Sequence, residues 1–185
     1  MTRIRLAGTA DAEAIASIQI AAWRAAYASF LPARFLDGLD VNDRAAQWGT
    51  RIGPAALETS PTFVALDETD ALRGFAHTGP LRDDDLSPDG RAEVYTIYVD
   101  PAAWRQGIGT ALLAAIDEFW RPTDLAELVL WVFEDNAESR AFYEHLGWLA
   151  DGSRKVDDFG DAQPAELRYR RHNLNLVSST AEAAK

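Results

Sequence analysis

Gly107 and Gly109, in the run Asp100-Pro-Ala-Ala-Trp-Arg-Gln-Gly-Ile-Gly-Thr110, are the residues of this chain best placed to do chemistry. Without Cβ atoms they let a ligand approach the backbone. The free N–H groups of a first helical turn, at the positive end of the helix dipole, then suit a phosphate or pyrophosphate. Arg105, Gln106, Ile108 and Thr110 share the turn; Arg105 is either the positive charge near such a phosphate or a solvated surface arginine. A Gly-x-Gly pair can equally close a plain tight turn. The run is not one of the common nucleotide loops: no Gly-Lys-Ser/Thr follows, and Leu112 stands where a dinucleotide loop has its third glycine.

The elements that would position this turn are legible from periodicity. Residues 92–99 are dense in β-branched and aromatic side chains and read as a strand ended by Pro101. Ile108, Leu112, Ala115, Ile116 and Phe119 form the apolar stripe of a helix that must stop before Pro122. Residues 127–133 read as a strand buried on both faces, and 136–148 as a short helix closed by Gly147. Asp135 and Glu138 have capping-box spacing, while Asn136 could itself be the cap. Elsewhere, residues 3–6 read as a strand and Thr9 and Asp11 open a helix. A second helix is expected over roughly 33–48, a hairpin over 63–66 and 72–78, and two last strands near 154–159 and 166–171.

The glycine turn resembles the acetyl-coenzyme A loop of the GNAT-type N-acetyltransferases, Arg/Gln-x-x-Gly-x-Gly/Ala, and Pro101 stands six residues before the first glycine, as is usual in that family. One departure is visible: the Arg/Gln position holds Trp104. The stretch Asn136-Ala-Glu-Ser-Arg-Ala-Phe-Tyr-Glu-His-Leu-Gly-Trp148 resembles the family's other hallmark, Asn-x-x-x-x-x-Phe-Tyr-x-x-x-Gly-Trp/Phe. The resemblance implies that Asn136 contacts the pantetheine arm and that Tyr143 is both a cofactor contact and the general acid that protonates the departing thiolate. Read alone, Tyr143 beside the Phe142/Leu146 pair is a core residue.

Acetyl transfer needs a neutral amine, so a base is also required. Glu93, within the strand leading to the loop, sits in an Ala-Glu-Val context resembling a family branch in which the matching glutamate is that base; a carboxylate there would be partly desolvated, or else a charge at the mouth of the strand. His77 is a weaker alternative. Tyr95 could line the same pocket. The resemblance further implies that backbone groups of Ile97, Tyr98 and Val99 hold the pantetheine amides and the thioester oxygen. Trp23 and Tyr27, four apart on the first helix, resemble a bacterial subgroup in which such aromatics border the acceptor; both could simply be core.

Composition narrows the rest. The chain has 185 residues, 48% of them hydrophobic, enough for one core: we expect a single domain over 1–174 and a flexible tail over 175–185. There is no cysteine, which excludes a thiol acyl-intermediate, a Cys-based metal site and disulfides. A net charge of -11 argues against nucleic acid and favours a cationic substrate. The acidic run 83–89 reads as a solvated loop that could steer an amine inward if it overhung the acceptor site. No signal-peptide pattern or membrane span is legible, so a cytoplasmic location is expected. The expected fold is α/β, a central twisted mixed sheet of about seven strands flanked by helices. The expected function is transfer from acetyl-CoA, without a metal, to a primary amine of a small molecule or peptide by a monomer or homodimer. The alternatives are a protein N-terminal or lysine acetyltransferase and a non-catalytic acyl-CoA sensor.

Overall fold

The computed structural model describes residues 2–172; the expected tail lies outside them. The element order is β1 (Arg3–Leu6), α1 (Ala12–Ala26), α2 (Ala33–Asp37), α3 (Val41–Arg51), β2 (Thr62–Leu66), β3 (Leu72–Pro80), β4 (Arg91–Val99), α4 (Ile108–Trp120), β5 (Glu127–Phe133), α5 (Ala137–His145), β6 (Leu149–Val156) and β7 (Ala165–His172). Seven strands form one mixed sheet in the order β1-β2-β3-β4-β5-β7-β6, in which only β4 and β5 run parallel. No helix among the described residues is long and apolar enough to cross a membrane.

Each face of the sheet buries its own helices. Ile15, Ile18 and Trp48 of α1 and α3 close over Val64 and Phe75. On the other face Leu112, Leu113 and Ile116 of α4 and Tyr143 of α5 pack on Ala65, Ala76, Val94 and Leu130. Burial of this size is the main force holding the helices to the sheet.

Three local expectations change. The second helix is two: α2 stops at Gly38, and Asp40, in extended backbone, starts α3 by accepting the Asp43 N–H at 3.0 Å. The cap of α5 is Asn136, whose Oδ1 accepts from Ser139 N–H at 3.1 Å, rather than an Asp135/Glu138 box. Strand β6 begins at Leu149 and ends at Val156, so Phe159 lies in the loop beyond it. The acidic run also differs from a solvated loop. Asp83 and Asp85 both clasp the buried Arg168 guanidinium of β7, which Asp151 also holds at 2.7 Å, and Asp83 accepts the Trp131 indole N–H at 3.1 Å. A cation with almost no access to water demands such partners.

Candidate active site

The site begins with a fault in the sheet. β4 and β5 pair only from Arg91 with Glu127 to Val94 with Leu130, although both strands continue. At that point β4 carries a bulge: Thr78 of β3 faces Val94 while His77 faces Thr96, leaving Tyr95 as the extra residue. A bulge bends its strand and increases local twist, which carries the end of β4 away from β5. It also resets parity, so Ala92, Val94, Ile97 and Val99 face α4. The bond from Asp100 N–H to the Arg73 carbonyl, at 2.8 Å, sets the alternation of the β4 backbone. Tyr98 therefore turns its backbone toward β3, and Ile97 and Val99 turn theirs toward the gap.

A cavity of about 800 Å³ opens along this gap. It runs from the α4 N-terminus past Ile97, Val99 and Tyr143 to Trp23, Tyr27 and Phe159. Thr96 lines it with its hydroxyl buried and without a hydrogen-bond partner among the described residues, and Trp23 lines it beside the Tyr98 hydroxyl. Orphaned polar atoms are rare in a finished core and mark this space as one that expects polar company.

At one end, Gly107 adopts a left-handed conformation (φ 78°), and a Cβ there would meet nothing within 4 Å. Arg105 is also left-handed (φ 61°); it is exposed and lies 3.6 Å from Glu138. The first-turn N–H groups of Ile108, Gly109 and Thr110 have no carbonyl one turn back within the helix. Gly109 has a second reason to lack a side chain: its Cβ would stand 3.0 Å from Cζ of Phe142, where α5 crosses α4. Gln106 folds back to the Ala102 carbonyl at 3.5 Å.

Asn136 and Tyr143 come to the same cavity from α5. Asn136 is buried, its Oδ1 engaged as a cap. Tyr143 is 7% exposed between Trp148 and Tyr169, and burial, with Tyr98 nearby, holds its phenol well above the usual tyrosine range. It therefore keeps its proton at neutral pH.

Residues 20–148 match the model of the Acetyltransferase (GNAT) family. The chain belongs to the GNAT family. It is accordingly an acetyl-CoA-dependent N-acetyltransferase. The uncharacterized N-acetyltransferase YuaI of Bacillus subtilis (strain 168) is 33% identical over 144 residues, 78% of either chain. The PaiA N-acetyltransferase of Thermoplasma acidophilum, solved in complex with coenzyme A, shares the fold at TM-score 0.71 with 16% identity, covering 94% of this chain and 99% of that one. The yncA acetyltransferase of Salmonella typhimurium, solved with its cofactor acetyl-CoA, does so at 0.68 with 23% identity over 93% and 94%.

In this GNAT chain Trp104 answers its own departure: its indole N–H donates to the Val99 carbonyl at 2.8 Å, tying the loop to the end of β4. Glu93 is brought near the site but not into it. It is 2% exposed, outside the cavity lining, and held by Arg82 through both oxygens, Nη2 to Oε1 at 2.5 Å and Nε to Oε2 at 3.1 Å. Arg82 also lies over Tyr95, 3.9 Å from its ring centroid, and Tyr95 reaches the cavity edge with its hydroxyl on the Pro80 carbonyl. His77 lies away from the cavity, between Thr62 at 3.0 Å and the Pro61 carbonyl at 3.2 Å. Trp23 and Tyr27 are at once packed against Tyr98 and Phe133 and part of the cavity wall. Sequence reasoning passed over Asp157, Phe159 and Glu166, which also line it. Nothing in their spacing marks them, because they come from the β6–β7 loop and β7 and meet the other site residues only across the sheet.

Proposed function

We propose that this GNAT chain moves the acetyl group of acetyl-CoA directly to a primary amine of a small molecule or peptide. The observation that supports this most is the parting of β4 from β5, which leaves strand backbone unpaired inside a cavity that joins a helix N-terminus to an aromatic pocket. Bound acetyl-CoA would supply an activated acetyl thioester. The first-turn N–H groups of Ile108, Gly109 and Thr110, the open side of Gly107 and the Arg105 guanidinium would hold its phosphates. Ile97 would pair its gap-facing groups, and Val99 its N–H, with the pantetheine amides, while Trp104 keeps the Val99 carbonyl; Asn136, the cap of α5, would touch the same arm, and a β4 N–H would stabilise the negative charge developing on the acetyl oxygen. Tyr143 would donate its proton to the leaving sulfur. Both oxygens of Glu93 are committed to Arg82, so its part is to hold Arg82 and the start of the 81–90 loop in place.

A thermal-shift titration with acetyl-CoA, followed by thiol release against a panel of primary amines, tests this. Saturable stabilisation and release with at least one amine are expected. Tyr143→Phe should keep the titration midpoint and lower turnover by roughly 10²-fold. No stabilisation by acetyl-CoA would refute the proposal, and an unchanged rate in the variant would reject the acid role.

A further inference from the structure

The aromatic end of the cavity holds a carboxylate whose ion pair is with an edge-strand lysine. Glu166 stands on β7 in register with Phe133 of β5 on one side and Lys155 of β6 on the other. Residues in register share a face, so its side chain lies with Phe133 on the α1 side and lines the cavity alongside Tyr27 and Phe159. The side chain is 15% exposed. Its ion pair is with Lys155 Nζ at 2.9 Å, on an edge strand where that amine is 44% exposed and rests over Trp131. Asp157 and Glu93 act on it electrostatically, and the hydroxyls of Tyr27 and Tyr98 lie on the same side; further cations around the pocket are Arg168, two residues along β7 and bound by Asp83, Asp85 and Asp151, and Arg44, which rests over the Trp23 ring. Glu166, Tyr27 and Tyr143 line one and the same cavity, which brings the carboxylate and the phenol to one region.

We propose that Glu166 receives the ammonium group of the acceptor and removes its proton, and that the acceptor is a small primary amine with an apolar body and no carboxylate beside the nitrogen. This rests on the acetyl-transfer reading above. A buried carboxylate among aromatic faces is suited to an organic cation, since the rings attract its charge and cover its carbon skeleton. An α-carboxylate on the ligand would meet Glu166 and Asp157 as like charges.

The ammonium replaces Lys155 at the carboxylate; one N–H bond breaks, an O–H bond forms on Glu166, and the nitrogen lone pair is freed. The C–N bond forms as the C–S bond breaks. Tyr143 gives its proton to the leaving sulfur and regains one from the new amide nitrogen, and Glu166 releases its proton to solvent. The net products are the amide, the free thiol and one proton. Burial, opposed by Lys155, raises the Glu166 carboxyl above the usual glutamate range, which favours proton uptake.

The test is binding of 2-phenylethylamine, followed by tryptophan fluorescence with and without coenzyme A. Glu166→Gln should weaken it roughly tenfold or more while leaving the coenzyme A thermal shift intact. Lys155→Met, at an exposed edge, should tighten it several-fold by freeing the carboxylate. Wild-type binding should fall as pH drops through the raised Glu166 value and be flat in the glutamine variant. L-Phenylalanine, with the same body and an α-carboxylate, should bind at least about tenfold more weakly. No saturable binding of the amine, or equal binding to wild type and Glu166→Gln, overturns the inference. A missing coenzyme A shift would count against acetyl transfer alone, because amine binding still answers for Glu166.

Discussion

Tyr143 and His77 are both buried, at 7% and 9% exposure, and burial drives them in opposite directions. A low-dielectric setting disfavours whichever form is charged, so the phenol is pushed up and keeps its proton while the imidazole is pushed down to about 4 and stays neutral. The first outcome makes Tyr143 a standing donor. The second has a cost in acid. Between pH 6.5 and about 4 the unfolded chain binds a proton at His77 that the folded chain refuses, so stability falls as pH falls through that window. The loss should reach on the order of 3 kcal/mol at the acid end. Melting curves from pH 7 to 4 should therefore be steeper for wild type than for His77→Gln; parallel curves would mean the ring is protonated in the folded state.

Among the elements, α4 and α5 meet closely at Gly109. Gly109 lies under the Phe142 ring, and a methyl group at 3.0 Å from Cζ requires the ring or α5 to give by a few tenths of an ångström. Since Asn136 caps α5 and Tyr143 lies within it, this contact bears on how the two family motifs sit against each other. Gly109→Ala should cost about 1–3 kcal/mol of stability as an overpacking change. In a Phe142→Ala background the same substitution should cost less, and denaturant titrations of the four variants would show the coupling. Additive costs would place the role of Gly109 in the backbone turn alone.

On the scale of the whole molecule, the 81–90 segment is fastened across the sheet. Arg82 reaches Glu93 on β4, Asp83 reaches Trp131 on β5, and Asp83 and Asp85 reach Arg168 on β7. The acidity that the composition suggested for steering an amine is in part neutralised here. Arg168→Met leaves Asp83, Asp85 and Asp151 without their common cation and should lower stability by roughly 3–5 kcal/mol. Limited proteolysis should then cut within 81–90, where wild type resists. Equal resistance would show that the remaining ties, Arg82 to Glu93, Trp131 to Asp83 and Arg91 to the Ser87 carbonyl, suffice to hold the loop.

The sequence by itself determined the strand-turn-helix at Gly107, the helix ending at Gly147 and the mixed sheet flanked by helices. In those stretches the local signals agree: apolar period, prolines that end strands, and glycines at left-handed positions. It also brought Asn136 and Tyr143 into view, through the resemblance of residues 136–148 to the family's second motif. Only the tertiary structure decided that Glu93 is closed off by Arg82, that Asp83 and Asp85 are partners of Arg168, and that Glu166 faces the aromatic pocket. These outcomes depend on which side chains meet across strands distant in sequence, and the bulge at Tyr95 changes which face each β4 residue takes. A one-residue shift of register reverses every side chain beyond it, and no local pattern in residues 91–99 announces where that shift falls.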